Sequence, residues 1–222
     1  MNHIKLVLFD FDGTVIDNSE GIFNCIRYSL NRLGLPVPGE AVLRRFVGPS
    51  LFDSFRSYIE DDEEKAERFV ATYRERYAPV GFTECRLYDG MEALLRRLKA
   101  QGFYVAVCSG KPYDFVVKIA KMQGLYDVFD GYFCPGFAPV DSDKAGLILA
   151  AVERFGVAKE EALMVGDRRF DIEAAKKAGV ASLGVRYGFA EPGELETAGA
   201  DKIVASVDDI DKILTNISGK TP

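Results

Sequence analysis

Ile4-Lys5-Leu6-Val7-Leu8-Phe9-Asp10-Phe11-Asp12-Gly13-Thr14-Val15 begins as an apolar run and turns acidic at Asp10. A short, nearly continuous apolar run predicts a strand over 4–9 that is covered on both faces, as in a parallel sheet. Ligands of such sheets bind beyond the carboxyl ends of the strands. Asp10 and Asp12 would stand at that end, two residues apart and able to project to one side. Gly13 permits a tight backbone turn with free N–H groups. Taken alone, the same acids and glycine could simply end the strand and cap the segment that follows.

Further apolar, β-branched runs lie at 103–108, 132–134, 162–165, 182–185 and 203–205. Helical patterns at 89–101, 112–123 and 143–155 separate them, and Gly102, Gly124 and Gly156 close these helices. Asp141 and Ser142 precede the third of them. Alternating strands and helices predict a doubly wound α/β fold around a parallel sheet. One interval breaks the rhythm, because a parallel crossover needs only a dozen or more residues and the first gap runs from about 10 to 103. Amphipathic patterns at 19–33, 41–46, 51–59 and 62–77 fill it, Ser19 capping the first and Gly34 stopping it. The expected organisation is a core of 1–16 with 83–222 and a small all-helical domain of 17–82 inserted after the first strand.

The 222 residues are 48% hydrophobic, enough for one core and a small accessory domain. Net charge is −6 with both signs interspersed, and the absence of a basic stripe argues against a nucleic-acid polymer as partner. Cys25, Cys85, Cys108 and Cys134 form no CxxC pair or zinc spacing, and His3 is the one histidine. Free thiols in a reducing compartment are expected, hence a cytoplasmic protein. No apolar stretch approaches the roughly 20 residues that span a bilayer, and the apolar run at 4–9 is too short for a signal peptide and is followed by acids. No membrane partner is expected, and the chain is read as a monomer or weak homodimer.

Three other segments carry polar groups at or after strand ends. Cys108-Ser109-Gly110-Lys111-Pro112 offers a hydroxyl and free amides before a helix, which suits an anion, although a cap and a turn would look the same. Gly166-Asp167-Arg168-Arg169-Phe170-Asp171 places two acids four apart, able to share a helix face. Capping explains one acid and not both. Lys144 opens the helix at 143–155 against the dipole preference. Together these groups would meet at one edge of one sheet. Asp10, Asp167 and Asp171 would repel one another, and a phosphate dianion would add to the repulsion. A divalent cation and one lysine would relieve both, and hard oxygen ligands suit Mg²⁺.

In these residues the chain resembles the haloacid-dehalogenase superfamily of phosphohydrolases. Its four motifs correspond to Asp10-Phe11-Asp12-Gly13-Thr14, Ser109, Lys144, and Gly166-Asp167-Arg168-Arg169-Phe170-Asp171. The insertion matches the position of that family's helical cap, and the resemblance implies a sheet order of 5-4-1-2-3. Phe46-Val47-Gly48-Pro49-Ser50-Leu51, Tyr88-Asp89-Gly90, Ser109-Gly110-Lys111-Pro112 and Val185-Arg186-Tyr187-Gly188-Phe189 are similar to the phosphoglycolate-phosphatase and 5′-nucleotidase branch. Two departures stand out: Asp143-Lys144-Ala145 where a Lys-Pro pair is common, and Ser109-Gly110-Lys111 where Thr-Asn-Lys or Thr-Ser-Lys is common.

The resemblance implies a Mg²⁺-dependent phosphatase of small phosphomonoesters. Asp10 would be nucleophile, and Asp12 acid and base with its carboxylate oriented by Thr14. Asp10, Asp12 (through its backbone carbonyl) and Asp167 would hold the metal, and Asp171 would support metal waters and Lys144. Ser109, Gly110, Thr14 and Lys144 would form the phosphate site. Gly48, Pro49 and Ser50 are the candidate substrate-specificity loop, although an ordinary turn between helices would read the same; the flanking Phe46, Phe52 and Phe55 are expected mostly to pack between the helices, and any that bordered the cavity would favour a nucleotide over a two-carbon acid. A phosphomutase of the same superfamily is a second reading, for which Arg44, Arg45 and Lys65 would have to hold a second phosphate. A non-catalytic protein of this fold is a third, and it would usually lack one of the acids present here.

Overall fold

β1 (Leu6–Phe9) is buried along its whole length, as its apolar run requires. In the computed structural model, which describes residues 3–48, 50–59, 62–136 and 143–218, it is an inner strand of a six-stranded parallel sheet. The other strands are β4 (Tyr104–Cys108), β5 (Gly131–Phe133), β6 (Ala162–Gly166), β7 (Ala181–Val185) and β8 (Lys202–Val204). Their order is β5-β4-β1-β6-β7-β8, so the chain winds outward on one side of β1 and then on the other. That is the expected 5-4-1-2-3 arrangement with one more strand at the edge. Two-residue strands β2 (Ile16–Asp17) and β3 (Arg86–Leu87) pair in a separate small sheet.

Both faces of the inner part of the large sheet are covered, which is why β1, β4 and β6 are nearly continuous apolar runs. Leu6, Leu8, Ala106, Met164 and Phe133 form one cluster with Leu147, Ile148 and Ala151 of α7 (Lys144–Phe155) and Ala174, Ala175 and Ala178 of α8 (Arg169–Ala178). The intervening Val7, Phe9, Val105 and Val107 are as fully buried on the opposite face. There α5 (Met91–Ala100) packs on β4, and α10 (Val207–Ser218) packs on α5. α6 (Tyr113–Met122) and the short α9 (Glu194–Ala198) complete this unit.

The chain divides into Met1–Ile16 with Leu87–Pro222, and Asp17–Arg86. The second boundary therefore falls four residues later than the expected 82/83. The smaller unit holds α1 (Ser19–Arg32), α2 (Glu40–Leu43), α3 (Leu51–Tyr58) and α4 (Glu63–Tyr77). The predicted helix at 41–46 is one turn of α2 followed by a 3-10 turn, Arg44–Phe46. Phe55 and Phe69 stack at 3.7 Å in this unit's core, and Phe46 packs against Tyr58 and Phe69. Phe46 and Phe55 are thus interior residues of the helical unit, in the packing role expected for most of these rings. The helix start expected around 167–171 is the first turn of α8, while α9 and α10 have no counterpart among the expected elements. Of the earlier expectations, Pro49, Asp141 and Ser142 lie outside the described residues.

The register explains where chemistry can gather. Phe9 lies beside Val107 on one side and Val165 on the other, so β4 and β6 run just one residue beyond the end of β1. The residues that follow them are Asp10, Ser109 and Asp167, and Asp10 N–H still donates to the Val165 carbonyl (2.9 Å).

Candidate active site

Asp10, Asp167 and Asp171 are all buried, and one carboxylate oxygen from each lies within 4.8 Å of the others. Lys144, at the first turn of α7, reaches Asp10 Oδ1 at 2.9 Å and also donates to Asp171 Oδ1. Its position at a helix start, unfavourable by dipole, is explained by these two carboxylates. Asp171 comes close because β6 ends in Gly166: a Cβ there would stand 2.1 Å from Asp171 Cγ. The other oxygen of Asp171 accepts from the Arg168 backbone N–H (2.9 Å).

The charges do not balance. Burial pushes the Asp167 carboxyl well above the ordinary carboxylate range, and the negative Asp171 and Asp10 push it further. Asp171 is raised to about 6 by burial, with Lys144 pulling it down and Asp10 pushing it up. Burial works against the Lys144 ammonium, yet Asp10 and Asp171 outweigh that and raise it above its ordinary value. Three close carboxylates against one ammonium leave net negative charge in a place with little water. Oxygen donors at this mutual distance fit a hard divalent cation such as Mg²⁺, and Asp10, Asp167 and Asp171 are the side chains that could hold it.

Thr14 is fully buried, and its hydroxyl donates to Asp167 Oδ1 (3.2 Å). This differs from the expected contact with the Asp12 carboxylate. The loop after β1 turns Thr14 inward beneath Asp167, while Asp12 Oδ2 accepts from Lys111 Nζ at 2.9 Å. Asp12 Oδ1 is buried with no hydrogen-bond partner among the described residues. Ser109 is buried, its backbone N–H donates to the Phe133 carbonyl (3.0 Å), and its Oγ accepts from the Lys111 N–H (3.3 Å). Gly110 is exposed and a Cβ there would meet open space, so packing does not explain its glycine.

The segment after β7, noted in the sequence only as a family feature, is part of this construction. Phe189 N–H donates to Asp167 Oδ2 (2.7 Å), and Tyr187 Oη–H donates to the Thr14 carbonyl (2.9 Å). A Cβ on Gly188 would stand 2.3 Å from the Gly13 carbonyl oxygen, so only glycine lets the two loops meet. Glu194, which sequence reasoning missed, pairs with Arg168 Nε (2.8 Å) and accepts from the Arg169 N–H (2.9 Å). The signal available for it was an acid in the first turn of a helix, which is too common to single out.

In the helical unit, Ser50 caps α3 by accepting from the Asp53 N–H (3.1 Å), and Gly48 has a φ of +113°. Cys25, Cys108 and Cys134 are buried and Cys85 partly so, all as free thiols. Burial raises Cys134 to about 12 and Cys108 higher still, so neither offers a thiolate. No helix among the described residues is long and apolar enough to cross a membrane.

A family model described as haloacid dehalogenase-like hydrolase matches residues 7–185. The chain is 36% identical over 189 residues to a 5′-nucleotidase of Pseudomonas aeruginosa, covering 85% of this chain and 86% of that protein. It is 28% identical over 221 residues to a phosphoglycolate phosphatase of Nitrosococcus oceani, covering 95% and 96%. A crystal structure of a predicted phosphatase from Clostridium acetobutylicum superposes with a TM-score of 0.88 at 38% identity, covering 96% and 99%.

Proposed function

Because the chain belongs to the haloacid dehalogenase-like hydrolases and is a phosphatase, we propose that it hydrolyses a small phosphomonoester, of the 5′-nucleotide or phosphoglycolate type, through an aspartyl-phosphate on Asp10 with Mg²⁺ as cofactor. The observation that carries this reading is the cluster of three buried carboxylates, Asp10, Asp167 and Asp171, with Lys144 paired to the first and the last, beyond the carboxyl ends of β1 and β6. Such a charge excess is a poor device for stability and a good one for holding a cation and a dianion together.

Asp10 is the nucleophile: a carboxylate oxygen forms the bond to phosphorus as the bond to the leaving oxygen breaks. Asp12 gives that oxygen its proton, then takes one from the water that attacks the aspartyl-phosphate and restores Asp10. Acid–base help of this kind is typically worth about 10²–10⁴-fold. The Ser109 hydroxyl, the Gly110 N–H and Lys144 hold the phosphoryl oxygens. The metal, when bound by Asp10, Asp167 and Asp171 with the Asp12 carbonyl, supplies positive charge that lets a carboxylate approach a phosphate dianion. These core groups address the phosphoryl group alone, so the choice of leaving group rests elsewhere. Since Phe46 and Phe55 are spent on packing, they lend no preference for a nucleobase. Buried free thiols suit work in the reducing cytoplasm.

The test is a phosphomonoester panel with Mg²⁺ that includes phosphoglycolate, nucleoside 5′-monophosphates, sugar phosphates, pyrophosphate and phosphotyrosine. Turnover of at least one small monoester, lost on chelation and regained with Mg²⁺, is expected. Full activity in excess chelator would sink the reading.

A further inference from the structure

We propose that Lys111 is a positioning residue for Asp12, holding one oxygen of that carboxylate so that the other meets the leaving group. The proposal rests on Asp12 being the acid and base of the proposed reaction.

The two lysines of the site divide the carboxylates between them. Lys144 reaches Asp10 and Asp171, whereas Lys111 reaches Asp12 Oδ2 at 2.9 Å. The Lys111 side chain is only 7% exposed. An ammonium this sheltered has lost most of its hydration, and a charge-assisted hydrogen bond to a carboxylate offsets that cost. Its backbone is anchored too, because its N–H donates to Ser109 Oγ and Ser109 N–H donates to the Phe133 carbonyl. The stem therefore starts from a fixed point at the end of β4 and spans to the loop after β1.

The Asp12 carboxylate has one oxygen tied by Lys111 and the other, Oδ1, buried without a hydrogen-bond partner among the described residues. An acid and base needs this division: one atom fixed in place and one left to exchange a proton. Thr14, the neighbour best placed in sequence to do the fixing, has its hydroxyl on Asp167 instead. A carboxylate released from Lys111 could turn about its side-chain torsions, and a misplacement of about 1 Å can cost on the order of 10²-fold in rate.

The consequence is selective. A leaving alkoxide needs a proton as the ester bond breaks, whereas a nitrophenolate leaves without one. Removing Lys111 should therefore slow alkyl phosphates far more than p-nitrophenyl phosphate. The experiment compares kcat and KM of the Mg²⁺-loaded wild type, Lys111→Met, Lys111→Gln and Asp12→Asn on one alkyl phosphate and on p-nitrophenyl phosphate. Thermal melts identify which variants are folded, and the glutamine variant serves if the methionine variant is not. We expect kcat/KM for the alkyl ester to fall about tenfold or more in the Lys111 variants, mainly through kcat, with about threefold or less on p-nitrophenyl phosphate. Asp12→Asn should show the same asymmetry more strongly. Equal losses on both esters with raised KM would make Lys111 a phosphate contact and overturn the proposal, as would unchanged kinetics. If Asp12→Asn itself shows no asymmetry, the acid–base role of Asp12 fails and this proposal falls with it. If Asp12→Asn shows it and the Lys111 variants do not, this proposal alone fails.

Discussion

Beyond the carboxyl ends of β1 and β6, Asp10, Asp167 and Asp171 cluster and Lys144 pairs with only two of them, Asp10 and Asp171, whereas in the helical unit Arg76 meets a single acid, Glu84, through two hydrogen bonds of 2.7 and 2.8 Å. Arg76 also donates to Cys25 Sγ, and Asn24 donates to Glu84. The paired guanidinium holds the Glu84 carboxyl below its ordinary value, while Asp167 and Asp171 are held above theirs, first by burial and then by like charge. The same residue types thus do opposite things. A matched, bidentate pair is a fastening. An unmatched cluster is retained at a cost to stability, and such costs concentrate where chemistry is done.

The largest expected effect is on turnover. Asp10→Asn should lower phosphate release by about 10³-fold or more if Asp10 is the nucleophile proposed above. In chelator its thermal midpoint should equal or exceed the wild type's, because one repelling charge is gone. More than a few per cent of wild-type activity would break the contrast on its chemical side. Next comes the cation. Mg²⁺ at a hundred times its dissociation constant should stabilise the protein by about 2.7 kcal/mol, read as a rise in melting temperature. Asp167→Asn should lose most of that rise and Arg76→Met should keep it. An equal response in both variants would place the cation elsewhere.

Third, Arg76→Met leaves the partly buried Glu84 without its main donor and should cost about 2 kcal/mol in denaturant unfolding. A neutral result would remove the fastening role. The smallest effect is in pH. Asp171 is raised to about 6 when folded and returns to about 4 when unfolded. Between those values the folded chain binds more protons, so this group's contribution to stability falls as pH rises from 5 to 7, by about 1 kcal/mol. Chelated wild type should therefore lose stability over that interval relative to Asp171→Asn, and saturating Mg²⁺ should reverse the trend. Parallel curves in chelator would contradict the excess of negative charge.

Much of this was legible in advance because it is local or periodic. The apolar runs marked the strands of a parallel sheet, and a parallel sheet necessarily gathers its strand ends at one edge, so Asp10, Ser109 and Asp167 could be brought together on paper. Lys144 was found as a misfit, a cation at a helix start, and its partners explain the misfit. The overlooked α10 carried the same kind of signal, with buried Val207, Ile210 and Leu214 at helical spacing. The aromatic side chains of the helical unit could not be assigned that way, since Phe55 stacks on Phe69 and composition does not distinguish a core ring from a cavity ring.

The sequence by itself determined the fold class, the helical insertion and the kinds of group at each strand end, because apolar period and chain order dictate those. Tertiary structure alone decided which partner each group takes. Asp12 meets Lys111 across 99 positions, Thr14 meets Asp167 across 153, and Tyr187 reaches the Thr14 carbonyl across 173. A hydrogen bond exists over a few tenths of an ångström and a narrow range of angles. Loops set that geometry by closing on one another, as Gly188 does over Gly13, and no rule of spacing along the chain reaches so far.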